Sequence, residues 1–240
     1  MASLATPAEA AAGAGADGSR GRRIDGPSYG LQGVGEWIDR FPLFPLGLVL
    51  LPGEVVPLHI FEDRYKQMIE ECLESGAEFG IIWTSDEGLR PIGCSAEITQ
   101  LVDRMDDGRM NILIQGARPF RVIRQIKDMD YPAGDVELLE EEADIEEDPE
   151  AGAAARHGYA DLVERVTDTR PSEADLAELD SFGMAATIAF EPDAKQELLE
   201  LRSEAARLER LTSLFAEALE RYEFTERASE RAKLNGKVRR

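Results

Sequence analysis

Histidine and cysteine are scarce in this sequence, with two of each among 240 residues. His59, His157, Cys72 and Cys94 show neither the CxxC nor the HExxH spacing of zinc sites, and the chain contains no Walker A motif for a nucleotide triphosphate. We therefore expect no metal and no cofactor. Both cysteines fall at apolar positions of predicted elements, so we interpret them as small buried hydrophobic residues of a protein in a reducing compartment.

Long apolar runs are also missing, because none approaches the ~18–20 residues that a membrane-spanning helix requires. The N-terminal residues lack the leucine-rich segment of a secretion signal, so we expect a cytoplasmic protein. The charge is strongly biased, since 48 acidic and 27 basic side chains give a formal net charge of −21 at pH 7. Such a surface repels phosphate and anionic lipid, so neither nucleic acid nor a membrane is an expected partner.

Four of the twelve prolines, together with two glycines, fall in one apolar segment, residues 41–65, which reads FPLFPLGLVLLPGEVVPLHIFEDRY. Proline lacks a backbone N–H and fixes φ, so the prolines of this segment divide it into short extended pieces. Pro52-Gly53 is a turn signal between two predicted strands, at about residues 43–51 and 55–61. The segment therefore indicates the start of a small, tightly wound β-structure.

Residues 62–139 combine one helical pattern with several short strands. Apolar residues at helical spacing predict a helix over residues 62–75, and Ser75-Gly76 supplies its end. Strands are predicted over residues 78–84, 91–102, 110–115, 120–126 and 136–139, with Asp106-Asp107-Gly108 as a hairpin turn. Short strands in this number, with one helix among them, predict a compact and partly closed barrel.

The C-terminal part is predicted to be helical. Residues 135–150 hold ten carboxylates, and like charges stay solvated, so we place an inter-domain linker there. Ser172 is a predicted N-cap for a helix over residues 173–180, and another helix is predicted over 182–189. Residues 193–227 carry one apolar stripe, which periodicity alone allows as a single long helix or as two helices.

The fold class predicted from these patterns is α+β, a small β-barrel with one helix followed by an α-helical bundle. The predicted boundaries are a disordered tail over residues 1–36, the barrel over 37–140, an acidic linker over 141–156, the helical bundle over 157–228 and a basic tail over 229–240.

The order of residues in the proline-rich segment resembles the opening of the Lon substrate-binding domain, the N-terminal domain of the Lon proteases. The blocks that carry the resemblance are Phe41–Leu46, Leu51–Gly53, Pro57–Glu62 and Arg64-Tyr65, and later Gly116–Phe120 and Lys195–Glu200. The resemblance covers about residues 40–225, whereas the acidic run and the first 36 residues depart from the family pattern. It implies a PUA-like β-pseudobarrel followed by a helical bundle, and it favours a helix break near Ser203.

The resemblance also implies a function, which is non-catalytic recognition of polypeptide. Because the sequence shows no ATPase or serine–lysine protease motif and ends soon after the matching region, we expect a free-standing form of the domain that is not an enzyme. The expected partners are unfolded or degron-like polypeptides, with basic ones favoured by the negative surface. A protease or an ATPase is a further candidate partner, and the oligomeric state is left open.

Five residues are candidates for partner binding, because arginine and aromatic side chains dominate binding hot spots. They are Arg64, Tyr65, Trp83, Arg118 and Phe120. The alternative interpretation places Tyr65 and Phe120 in the core and pairs the two arginines with nearby carboxylates.

Two other functions compete with polypeptide binding. One is a hydrolase that uses His59 beside Glu62 and Asp63, although no GxSxG motif supplies a nucleophile. We instead expect His59 to be a structural residue with a backbone partner. The other is RNA binding, which PUA-like barrels allow but the net charge opposes.

Overall fold

The computed structural model describes residues 35–142 and 149–236. In these residues seven strands and six helices follow one another as β1 (Trp37–Leu46), β2 (Val55–Ile60), α1 (Asp63–Ser75), β3 (Phe79–Ser85), β4 (Gly88–Leu89), β5 (Ile92–Arg104), β6 (Met110–Ile126), β7 (Ala133–Leu138), α2 (Pro149–Thr167), α3 (Glu173–Ala177), α4 (Ser181–Ala186), α5 (Pro192–Glu200) and α6 (Glu204–Gly236). Strands with one helix thus precede a helical C-terminal part, and the predicted α+β class is confirmed.

The strands form a closed ring. They are ordered β1-β7-β6-β5-β3, and β1 also pairs in parallel with β3, where Leu43–Leu46 lie beside Gly80–Trp83. The other pairings of the ring are antiparallel. Outside the ring, β2 pairs with β6 and the short β4 pairs with β3. The sequence pattern therefore predicted the barrel correctly.

A phenylalanine lies in a small cluster of buried side chains that β1, β3, β6 and β7 contribute. Phe120 packs edge-on against Phe41, with 5.6 Å between ring centroids. Its ring also occupies the space beside two glycines, because an added Cβ would lie 2.5 Å from the ring at Gly80 and 2.8 Å from it at Gly93. Close packing of this kind leaves no room for larger residues at either position.

The turn between β1 and β2 is held against Gly116 of β6. Gly53, which adopts a φ of 77°, donates from its backbone N–H to the Gly116 carbonyl at 2.8 Å, and the Gly116 N–H donates to the Glu54 carbonyl at 2.9 Å. A Cβ at Gly116 would lie 2.1 Å from the Leu51 carbonyl oxygen, so no side chain fits there. The Glu54 carboxylate also accepts from the Leu51 N–H at 3.1 Å.

The helical part is attached to the barrel through α5. Lys195 donates from Nζ to the Glu54 carboxylate at 2.5 Å, and the Gln196 amide donates to the Ile92 carbonyl at 3.1 Å. The side chains of Lys195 and Glu54 are only 13% and 12% exposed. The block Lys195–Glu200, which carried part of the resemblance, therefore contributes two of the contacts that join the two parts.

Local capping signals in the helical part were predicted correctly. Ser172 caps α3 in a capping box, since its hydroxyl accepts from the Asp175 N–H at 3.2 Å. The Ser203 hydroxyl likewise accepts a hydrogen bond at the start of α6, from the Ala206 N–H at 3.2 Å. Residues 193–227 are therefore divided between two helices, with the break at residues 201–203. Helix α3 ends at Ala177 and does not reach residue 180.

Several predicted limits differ from the observed elements. The first strand is Trp37–Leu46 and not residues 43–51, because its ladder with β7 begins at Trp37. The predicted strands over 110–115 and 120–126 are one strand, β6, which pairs with β5 along most of its length. Helix α2 begins at Pro149, inside the region predicted as linker. The domain boundaries stay predictions, and residues 1–34, 143–148 and 237–240 lie outside the described residues.

We predict that Lys195→Ala will lower the free energy of unfolding by about 3 kcal/mol, because it leaves the Glu54 carboxylate buried without its charged partner. Arg210→Ala is the matched control, since the Arg210–Glu197 pair also joins α5 to another element, here α6, but its side chains are 32% and 54% exposed. This control should cost less than about 1 kcal/mol. Urea unfolding followed by circular dichroism measures both, and equal losses would show that the buried pair has no special role.

Candidate functional site

The five predicted partner-binding residues do not form one site. Phe120 is fully buried in the barrel, and Trp83 is buried in the main core with the Arg90 guanidinium 5.5 Å from its ring centroid. In this structure neither aromatic ring presents a surface to a partner. The remaining three residues line two separate grooves, described below, and the role of all five in partner binding stays a prediction.

Arg64 and Tyr65 lie side by side at the start of α1. The Tyr65 ring is buried and stacks on Phe44, with 4.0 Å between centroids, and burial raises the pKa of its hydroxyl. The Arg64 guanidinium covers the exposed side of this ring at 4.7 Å and pairs with Glu62 at 2.7 Å. Tyr65 is thus a core residue and Arg64 pairs with a nearby carboxylate, as the alternative interpretation expects.

These two residues border an open cavity of about 420 Å³, which we call the β2 groove. It is lined by residues 44–46 at the end of β1, residues 58–62 of β2 and the loop after it, Arg64, Tyr65 and Pro132. Most of these side chains are apolar. Phe61 stands at the rim with 60% of its surface exposed, and its ring lies 5.9 Å from that of His59.

Phe61 is the residue that the sequence reasoning did not select. It occupies the position before the N-cap of α1, where a large apolar side chain commonly packs against the following helix turn. The structure leaves it exposed instead. No local sequence signal predicts that Phe61 is exposed, because its exposure depends on how β2 and α1 pack around the groove.

Arg118 borders a second cavity, of about 410 Å³, between the barrel and the helical part. We call it the barrel–helix groove, and it is lined by residues from β6 and β7 on one side and from α4, α5 and α6 on the other. Arg118 pairs with Glu36 at 3.3 Å and lies 3.9 Å from Glu78. The barrel–helix groove therefore contains arginine side chains that are already paired within the fold.

Arg207 shows the same pairing more strongly at the base of the barrel–helix groove. Its side chain is 5% exposed, and it donates to the Ser181 hydroxyl at 2.8 Å and to the Leu201 carbonyl at 3.0 Å. It also donates to the carboxylates of Glu204 and Glu141. These contacts tie the chain that leaves β7 to the start of α6, so the groove is mainly a seam between the two parts.

His59 does not have the surroundings of a catalytic base. The residue is exposed, and its Nδ1 lies 2.7 Å from the Asn111 side-chain oxygen, so its partner is an amide and not the backbone group that we expected. A triad would need a carboxylate to orient the imidazole and a nucleophile beside it. Glu62, which the hydrolase hypothesis placed near His59, pairs with Arg64 instead.

The two cysteines are also unsuited to nucleophilic chemistry. Both are free and buried, as predicted. Burial raises the pKa of the Cys72 thiol to about 11, with a smaller contribution from the Glu71 carboxylate, and burial raises the pKa of Cys94 as well. Since the thiolate is the reactive form, neither sulfur is activated at neutral pH.

The described residues contain no group of three or more histidine, cysteine, aspartate or glutamate side chains placed to hold a metal ion. None of their helices is both long and apolar enough to cross a membrane.

The fold and its surface define a class of protein: an α+β domain with a closed β-barrel, a helical C-terminal part and an open apolar groove beside an exposed phenylalanine. Comparison with known proteins gives the family. Residues 40–217 match the model of the ATP-dependent protease La (LON) substrate-binding domain, so the chain belongs to this family. The resemblance read from the sequence is confirmed, and the family indicates a role in substrate recognition.

Lon proteases are among the relatives of this chain. The Lon protease of Methylocella silvestris is 25% identical over 216 residues, covering 80% of this chain and 26% of that protein. Lon protease 1 of Syntrophobacter fumaroxidans is 26% identical over 208 residues, covering 80% of this chain and 25% of that protein. The chain thus spans about a quarter of the length of these relatives.

Solved structures support the same fold. The crystal structure of a Lon N-terminal domain protein from Xanthomonas campestris has a TM-score of 0.58 and 28% identity, covering 73% of this chain and 98% of that one. The N-terminal domain of the Mycobacterium avium complex Lon protease has a TM-score of 0.55 and 23% identity, covering 73% and 97%. The second likeness shows the fold alone.

We predict that neither cysteine of the folded protein will react appreciably with an aromatic disulfide reagent at neutral pH, because both thiols are protonated and buried. Reaction of Cys72 should accelerate as the pH rises towards about 11, while Cys94 stays slower because burial raises its pKa as well and leaves none of its surface exposed. Absorbance of the released thiolate measures the rate. Fast reaction of the native protein, at the rate of a urea-denatured sample, would contradict the prediction.

Proposed function

We propose that this protein binds unfolded or degron-like polypeptide segments and catalyses no reaction on them. Family membership supports substrate recognition in general. The site that we assign to it is the β2 groove, where an apolar cavity opens beside Phe61. The proposal also includes a cytoplasmic location and a role as an adaptor or holdase that works with a protease or an ATPase.

The exposure of Phe61 is the observation that carries this proposal. Burying a phenylalanine side chain on binding is worth about 1.5–3 kcal/mol, and aromatic residues at the centre of an interface dominate its affinity. Here 60% of the residue's surface is exposed, and the groove beside it is lined mainly by apolar residues. Unfolded chains expose the apolar side chains that such a groove would accept.

The charge of the chain gives the proposed site a preference. A formal net charge of −21 attracts basic segments and repels acidic ones at low ionic strength. The same charge opposes nucleic acid as a ligand, which is why polypeptide is favoured over RNA. The apolar groove would provide most of the affinity, while the surface charge would select among clients.

We predict that Phe61→Ala will weaken binding of a fluorescently labelled, denatured model protein by roughly ten- to a hundredfold, which corresponds to about 1.5–3 kcal/mol. Fluorescence anisotropy in a titration measures the dissociation constant. Phe224→Ala is the matched control, because Phe224 is 72% exposed on α6 and lies outside the β2 groove. It should leave the affinity unchanged.

Two outcomes would contradict this assignment. If wild-type protein causes no change in anisotropy, polypeptide binding itself is wrong. If both phenylalanine variants weaken binding equally, binding follows exposed apolar surface in general and the β2 groove is not the site.

A further inference from the structure

The outer edge of β2 borders the β2 groove and faces away from the rest of the sheet. On its inner side β2 pairs with β6, from Val55 opposite Gln115 to Ile60 opposite Met110. Within the described residues, β2 has no strand partner on its other side. An unpaired edge of this kind presents backbone N–H and C=O groups to any extended chain that approaches it.

The register determines which backbone groups point outwards. The Gly116 N–H donates to the Glu54 carbonyl at 2.9 Å, so these two residues form a hydrogen-bonded pair of the antiparallel ladder. Such pairs recur at every second residue. Residues 56, 58 and 60 therefore bond to β6, whereas Val55, Pro57 and His59 direct their backbone groups away from it.

Pro57 agrees with this assignment. Proline has no N–H to give to a ladder, and in strands it occupies positions whose N–H would face away from the neighbouring strand. The outer edge therefore offers the N–H groups of Val55 and His59 and the carbonyl groups of Val55, Pro57 and His59. This set suits the backbone of one extended segment.

We infer that polypeptide binds here by adding a strand to the outer edge of β2. The inference rests on the proposed function and specifies its binding mode. Backbone hydrogen bonds would supply affinity for any sequence, and alternate side chains of the added strand would lie on the face of the sheet that carries Leu58 or on the face that carries His59. The occupant is an extended segment in which apolar residues alternate with basic ones, because the groove is apolar and the chain carries a charge of −21.

The first test uses a short capped peptide that alternates lysine and valine, labelled for anisotropy. One version is N-methylated on every lysine and a second on every valine, so that one set of amides is blocked in each. In an added strand the amides of only one set face β2. One version should therefore lose affinity by about tenfold or more, and the other should stay close to the parent peptide.

The second test removes a donor from the protein. His59→Pro deletes the outward N–H, whereas His59→Ala keeps it, and both variants lose the contact with Asn111. We expect His59→Pro to weaken peptide binding several-fold more than His59→Ala does, because both variants lose the imidazole and only the proline variant loses the N–H. Circular dichroism confirms that each variant is folded, and if the proline variant is not, the methylated peptides on wild-type protein decide the question.

The results separate this inference from the function on which it rests. Equal affinities of the two methylated peptides, or no binding of the parent peptide, overturn strand addition. The proposed function survives either result if the denatured model protein still binds and depends on Phe61. If that protein does not bind at all, both proposals are wrong.

Discussion

The close contact between Gly116 and the turn at residues 51–54 determines much of this structure. Because no side chain fits at Gly116, the turn can approach β6 closely enough to exchange backbone hydrogen bonds with it. Those bonds set the register of β2. They also place the Glu54 carboxylate where it accepts from the Leu51 N–H and from Lys195 of α5. One backbone contact therefore links the edge strand, the barrel and the helical part.

The residues that carry the family resemblance have mainly structural explanations. Pro52-Gly53 forms the turn between β1 and β2, and Gly116 leaves the space that the turn needs. Lys195 binds α5 to the Glu54 carboxylate, and Phe120 packs inside the barrel beside two glycines. The motifs of this chain thus consist of residues that build the fold. They therefore identify the family but do not locate a binding site. In our proposal, recognition of other molecules depends on what the scaffold leaves exposed, above all Phe61 and the edge of β2.

Features encoded by neighbouring residues could be predicted from the sequence. Helix α1 begins within one residue of its predicted start and ends at Ser75, where Gly76 caps it in the left-handed conformation. The caps at Ser172 and Ser203 are equally local. Strand limits were less accurate, because the ladder of a strand depends on partners far away in sequence. The site was the hardest part, since the partner of His59 lies 52 residues away and the burial of Phe120 depends on distant strands.

Pro57 also affects how two copies of this chain can meet. An exposed strand edge usually risks pairing with the same edge of another molecule, which leads to chains of molecules or to aggregates. If two β2 edges paired, each would bring a proline that withholds a donor, so the shared ladder would lack a bond from both sides. If a foreign segment with an N–H at every position paired with β2, only the hydrogen bond that Pro57 cannot donate would be missing from the ladder. The edge is thus better suited to accept a different polypeptide than to join a second copy of itself.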